Sequence, residues 1–105
     1  HQAVERDLAV VVAERVTPPD IMGAVEQAVP GGMLRSAVLF DVYRPKVLRA
    51  GEEAPAGGLA PGEKSLAVRL TLGRDEATLT EAEIDAAVQS VITQLTQRTG
   101  ARLRV

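Results

Sequence analysis

Lys64-Ser65-Leu66-Ala67-Val68-Arg69-Leu70-Thr71-Leu72 alternates strictly, with Leu66, Val68, Leu70 and Leu72 on one side and Ser65, Ala67, Arg69 and Thr71 on the other. A period of two is a β-strand with one covered face and one open face. Upstream, Leu34 to Tyr43 reads as a second strand, and Arg6 to Val12 as a β-branched first strand. Between those two, Thr17-Pro18-Pro19-Asp20 opens a helix: Thr is the N-cap, Pro is tolerated in the first turn, and an acid follows three residues on. Ile21, Met22, Val25 and Ala28/Val29 supply its apolar stripe, and Pro30-Gly31-Gly32 stops it.

Downstream, Thr80-Glu81-Ala82-Glu83 is a capping box for a second helix. Its stripe is Ile84, Ala87/Val88, Val91/Ile92 and Leu95, with Gly100 as the stop and Ala101 to Val105 as a short last strand. The order β-α-β-β-α-β is the split βαβ, or ferredoxin-like, α+β pattern. It predicts a four-stranded, mainly antiparallel sheet with two helices on one face, in a single domain over 1–105. The stretch 44–63, rich in Gly, Pro and Ala, is long for a connection between paired strands. It reads as a mobile loop carrying Arg44, Lys46 and Arg49.

Bulk composition narrows the chemistry. The chain of 105 residues is long enough to bury one core without cross-links. It has no cysteine, which removes disulfides and thiolate metal sites and fits a reducing compartment. Its one histidine is His1, so imidazole-based metal binding or triad chemistry has almost no material. No apolar run approaches membrane-spanning length and no signal-peptide pattern is present. The first residue is His rather than Met, which suggests a fragment of a longer protein. The net charge of −2 lacks the basic excess usual in free-standing nucleic-acid binders. Any such role must rest on a local patch.

Strand parity identifies that patch. With Val38, Phe40 and Val42 turned toward the helices, Leu39, Asp41 and Tyr43 face away. In the first strand, Leu8, Val10 and Val12 face in and Ala9 and Val11 face out. The open face then combines small residues (Ala9, Ser65, Ala67) with one ring, one acid and Arg69. Asp41 and Tyr43, two residues apart, project from the same face roughly 6–7 Å from each other. A ring beside a hydrogen-bond acceptor suits an unpaired base. The same pair is also what a plain solvated strand carries. Arg44, Lys46 and Arg49 read equally as a solvated loop, and Arg102 and Arg104 as edge-strand protection against aggregation. Glu81, Glu83 and Asp85 are first-turn acids that favour the helix dipole. No set of side chains assembles into a catalytic site.

Five stretches in order, Arg6 to Val12, Leu39 to Tyr43, Gly62 to Ala67, Thr78 to Ile84 and Gly100 to Arg104, resemble the successive motifs of the ferredoxin-fold anticodon-binding domain. That domain ends the β subunit of bacterial phenylalanyl-tRNA synthetases and the single-chain organellar enzyme. The resemblance implies binding of the anticodon arm of phenylalanine tRNA. It implies a cytoplasmic parent enzyme, an α2β2 tetramer with no membrane association, that uses ATP and magnesium for catalysis elsewhere. It assigns this piece no catalytic residue, metal or cofactor of its own. The family's anticodon contacts fall on Ala9, Asp41, Tyr43 and Ser65, with Arg44, Lys46 and Arg69 placed to meet phosphates. The chain departs from the family pattern at His1-Gln2, where an aromatic-Pro pair is usual, at Arg44-Pro45, where a Gly is usual, and in the length of 44–63.

Two other functions suit a βαββαβ domain. One is an amino-acid-sensing regulatory module, usually marked by Gly in the first strand-to-helix loop, where this chain has Ala13 to Pro18 without one. The other is protein docking through the open face, supported by an outward Leu39 and Val11.

Overall fold

The structure, a computed structural model, describes residues 3–29, 31–45 and 59–104. Its elements are β1 (Val4–Ala13), α1 (Pro18–Ala28), β2 (Leu34–Tyr43), β3 (Glu63–Leu72), α2 (Glu81–Thr99) and β4 (Arg102–Leu103). The sheet order is β2-β3-β1-β4 with every neighbouring pair antiparallel, the ferredoxin-like α+β arrangement that the element order predicts. The segment 46–58, with Lys46 and Arg49, lies outside the described residues, as do Pro30 and Val105.

The helix boundaries follow from capping. Thr17 Oγ1 accepts from the Asp20 N–H while the Asp20 carboxylate accepts from the Thr17 N–H, and Thr80 and Glu83 repeat the exchange at α2. Each box satisfies two backbone donors that the first turn would leave orphaned. At the other end of α2, Gly100 adopts φ 73° and its N–H reaches the Thr96 carbonyl. A left-handed cap of that kind favours glycine because it lacks Cβ. Ser90 Oγ of α2 donates to the Ala28 carbonyl of α1 at 2.6 Å, tying the two helices together.

The core lies between the helices and one sheet face. Ile21, Ala24, Val25 and Ala28 of α1 and Ile84, Ala87, Val91 and Leu95 of α2 are buried against Val10, Val12, Leu66, Val68, Leu70 and Leu72. The strict alternation of β3 thus points its leucines and valine at the helices, and Arg69 and Ala67 at the open side.

β2 departs from simple alternation. Its register against β3 runs Ala37↔Leu70, Val38↔Arg69, Leu39↔Val68, then Asp41↔Ala67, Val42↔Leu66, Tyr43↔Ser65, with Phe40 as an extra residue at a bulge. A second shift leaves Arg35 extra between Leu34 and Ser36. One inserted residue flips the faces of everything before it relative to everything after. The expected parity therefore holds for Asp41, Val42 and Tyr43 and fails for Val38, Leu39 and Phe40. Leu39 packs toward the core, while Val38 (50% exposed) and Phe40 (48%) look outward. The chain accepts two bulges because the apolar steps Leu34, Ala37, Leu39 and Val42 run three, two, three, and only bulges bring all four to the helix side. Val11 is also corrected: it does lie on the open side, opposite Ser65, yet it is only 2% exposed. With Leu39 inward and Val11 covered, the docking reading loses both residues that supported it.

Candidate functional site

Cross-strand register converts the open face into rows. Asp41 of β2, Ala67 of β3 and Ala9 of β1 stand side by side, and the Arg104 N–H donates to the Ala9 carbonyl at 2.7 Å to extend that row. The next row is Tyr43, Ser65, Val11 and Arg102. On the other flank lie Val38, Arg69 and Asp7, with Phe40 beside them. Ala9, Asp41, Tyr43 and Ser65, drawn from three strands, therefore occupy two adjacent rows about 7 Å apart along the strands. The floor between is two half-buried alanines and a serine that is 5% exposed, with no large side chain rising from it.

Two polar features mark the β2 side of this slot. The Tyr43 ring is 41% exposed. The Asp41 carboxylate is exposed and has no hydrogen-bond or ion-pair partner among the described residues.

The cations are mostly spent. Arg69 donates to both oxygens of Asp7, at 2.9 and 3.0 Å, and lies over the Phe40 ring with its guanidinium carbon 4.9 Å from the centroid. Arg44 grips Glu14 through Nε at 3.0 and 3.2 Å. Arg102 donates from its two terminal nitrogens to the two Glu63 oxygens, at 2.6 and 3.0 Å. Arg69 and Arg44, both expected to meet phosphates, are each paired with a carboxylate. Arg104 differs: among the described residues it has no carboxylate partner, and its guanidinium carbon sits 5.2 Å above the Tyr43 ring centroid. The two residues come from opposite edges of the sheet, about 14 Å apart at the backbone by strand spacing. Their contact spans β3 and β1.

Sequence reasoning missed two members of this face. Strict alternation through β2 turns Phe40 inward, whereas the bulge turns it outward; the unequal apolar steps of β2 are the signal in the sequence. Arg104 was read as edge protection. Antiparallel pairing of β4 with β1 puts Arg102 and Arg104 on the open side and Leu103 on the other, and the Arg-Leu-Arg spacing encodes that.

Neighbouring carboxylates respond to their arginines. Arg69 holds Asp7 below the usual carboxylate range by hydrogen bonding, and Arg44 does so for Glu14. For Glu63 the hydrogen bonds from Arg102 and then from the Ala60 N–H lower the pKa to about 2. A folded-state pKa below the unfolded value of 4.5 stabilises the fold fully above pH 4.5, and that contribution is lost as pH falls toward 2. Glu63→Gln is expected to reduce the loss of melting temperature between pH 4.5 and 2 while changing little of its slope near neutrality. Thermal melts across that range check it; parallel curves for both proteins would contradict the assignment.

Elsewhere, a cavity of about 510 Å³ opens between the start of α1 and the end of α2, lined by Arg15, Asp20, Arg98 and Gly100 among others. Its polar groups are largely engaged: Asp20 caps α1 and Arg98 bonds Gln27. Among the described residues no cluster of three carboxylate or histidine side chains is placed to hold a metal, and no helix is long and apolar enough to cross a membrane.

The family model for the ferredoxin-fold anticodon binding domain matches residues 1–104. The chain belongs to that family. Individual relatives agree with this membership. It is 42% identical over 102 residues to the phenylalanine–tRNA ligase beta subunit of Vibrio vulnificus, 41% over 102 to that of Pasteurella multocida and 39% over 106 to that of Ralstonia nicotianae. Each match takes in 97% of this chain but only 11–12% of the relative, so the chain spans about a ninth of those proteins.

Proposed function

We propose that the open face of this chain reads the anticodon arm of phenylalanine tRNA as part of a phenylalanine–tRNA ligase beta subunit. The observation that carries the reading is the Asp41 carboxylate, without a partner among the described residues, beside the exposed Tyr43 ring in rows shared with Ala67, Ala9 and Ser65. An unpaired anticodon base stacks on Tyr43, and a donor on its edge meets Asp41. Ala9 and Ser65 set how closely the base approaches the sheet. Stacking is tolerant of base identity, whereas a carboxylate selects for an edge that donates. The domain then positions tRNA for aminoacylation by the parent enzyme, a cytoplasmic α2β2 assembly in which ATP, magnesium and the catalytic groups belong to other parts. Family membership and the relatives' names support the partner; the geometry supports the contact residues.

Because Arg44, Arg69 and Arg102 are ion-paired, they contribute little to counterion release. Binding should therefore depend weakly on salt, with log K falling against log salt by about 0.7 per phosphate for only one or two phosphates. The test is titration of the isotopically labelled chain with a phenylalanine anticodon stem-loop and with the same stem carrying a scrambled loop. Amide shifts confined to Ala9, Asp41, Tyr43, Ser65 and Ala67, seen only with the native loop, are the expected result. Equal responses to both loops, or shifts centred on the helices, would overturn the reading.

A further inference from the structure

The two residues proposed to meet the base sit on the least supported part of β2. We infer that Glu14, acting through Arg44, is a positioning residue that holds the Tyr43 ring and the Asp41 carboxylate in place before the base arrives. The inference rests on the reading of Tyr43 and Asp41 as base contacts, and gives a role to a residue that lies off the sheet face.

Three observations carry it. First, the ladder that holds this segment is short. Only Asp41, Val42 and Tyr43 pair with β3 between the bulge at Phe40 and the end of the strand. Among the described residues, β2 has no neighbour on its other side. A bulge disrupts the ladder locally, and strand ends open more readily than strand centres. Second, the segment has no buried side chain. Phe40, Asp41, Val42 and Tyr43 are all exposed, Val42 by 38% although it lies on the helix side, so the core does not fix them. Third, the residue that follows Tyr43 is gripped from outside the strand. Arg44 meets Glu14 through Nε at 3.0 Å and through Nη2 at 2.9 Å.

Exposed ion pairs usually contribute little, because two mobile side chains must be ordered together. Here one end is fixed in advance. The Glu14 N–H donates to the Gly62 carbonyl at 2.8 Å, and the Glu14 carbonyl accepts at 2.9 Å from Nζ of Lys64, whose side chain is 7% exposed. A brace thus runs from a buried lysine on β3, through the turn after β1, to the exit of β2. Pro45 disfavours helical backbone at Arg44 and so stiffens the last link. A segment ordered beforehand binds more tightly, because less ordering remains to be done on binding. The brace therefore acts on RNA through shape and not through charge.

The experiment uses Glu14→Gln/Arg44→Gln, which removes the pair without changing net charge, beside wild type, Arg44→Gln and Tyr43→Ala. The main-chain bonds to Gly62 and Lys64 survive in the double variant, and amide spectra confirm that each protein is folded. Tyr43 is the one tyrosine of the chain and there is no tryptophan, so tyrosine fluorescence anisotropy reads the motion of that ring alone. In the free double variant the anisotropy is expected to fall. Affinity for the phenylalanine anticodon stem-loop is expected to fall about three- to fivefold at an unchanged salt slope. Arg44→Gln is expected to match it at high salt, where the general effect of one charge is screened. Unchanged anisotropy, or unchanged affinity, in the double variant overturns the inference. A salt slope lower by about 0.7 in both Arg44 variants means that Arg44 meets a phosphate, and overturns it too. In each of these cases a loss of binding by Tyr43→Ala leaves the reading of the face standing. If wild type binds native and scrambled loops alike, that reading fails and the inference fails with it.

Discussion

Leu66→Ala is expected to destabilise the chain by about 3–5 kcal/mol, the upper part of the range for truncating a fully buried leucine. Leu66 is 0% exposed in the second strand from the β2 edge, with Val10 and Val42 as its cross-strand neighbours, and both helices close over that face. The site cannot collapse easily, because the backbone on either side is held by two antiparallel ladders. For a domain whose whole stability is about 5–15 kcal/mol, that loss consumes a large share. Urea unfolding would read it as a lower midpoint at unchanged slope. A loss below about 1 kcal/mol would mean that the helices do not seal the sheet as described. Ser65 and Ala67 flank Leu66 on the opposite face, so any folded variant should keep its floor. RNA affinity is expected to fall only as the folded fraction falls.

Tyr43→Ala is the complementary case, with a large effect on binding and a small one on stability. Stacking of a base on an aromatic ring is worth about 1–3 kcal/mol, which corresponds to a loss of roughly 5- to 150-fold in affinity for the anticodon stem-loop. The ring is 41% exposed and its described contact is the Arg104 guanidinium, an exposed cation–π pair of about 0.5–1 kcal/mol. Stability should thus fall by no more than about 1 kcal/mol. Tyr43→Phe separates stacking from hydrogen bonding by the phenol: a stacking role predicts affinity near wild type. Binding unaffected by Tyr43→Ala would remove the ring from the interface and, with it, the central element of the proposed function.

Much of this architecture is legible in the sequence, for identifiable reasons. The two Thr-x-x-acid boxes and Gly100 set helix boundaries through local hydrogen bonds, so they need no tertiary information. The alternation of β3 is undisturbed because the strand is interior and paired on both sides. β2 is harder to read. It is an edge strand, free on one side to bulge, and its faces depend on which residues the helices recruit. A bulge at Phe40 cannot be seen by counting in twos, although the spacing of Leu34, Ala37, Leu39 and Val42 carries it. Asp41 and Tyr43 were placed correctly because they lie beyond the bulge, in phase with Val42. The pairing of Arg69 with Asp7 and of Arg44 with Glu14 joins residues far apart in the chain. Only the register of the folded sheet brings them together, so their ion pairs are not legible in the sequence.

Glu14 has a role that reaches beyond electrostatics. Its carboxylate holds Arg44 at the exit of β2, its carbonyl accepts from Lys64 Nζ at the entry to β3, and its N–H donates to the Gly62 carbonyl at 2.8 Å. One residue therefore staples both roots of the excursion between the two strands. The distance the excursion must bridge is fixed by the staple and does not depend on how many residues bridge it. Doubling the length of such a segment costs only about 0.6 kcal/mol in closure entropy. A change in the length of this stretch is therefore expected to leave unchanged the register that aligns Asp41 with Ala67 and Tyr43 with Ser65.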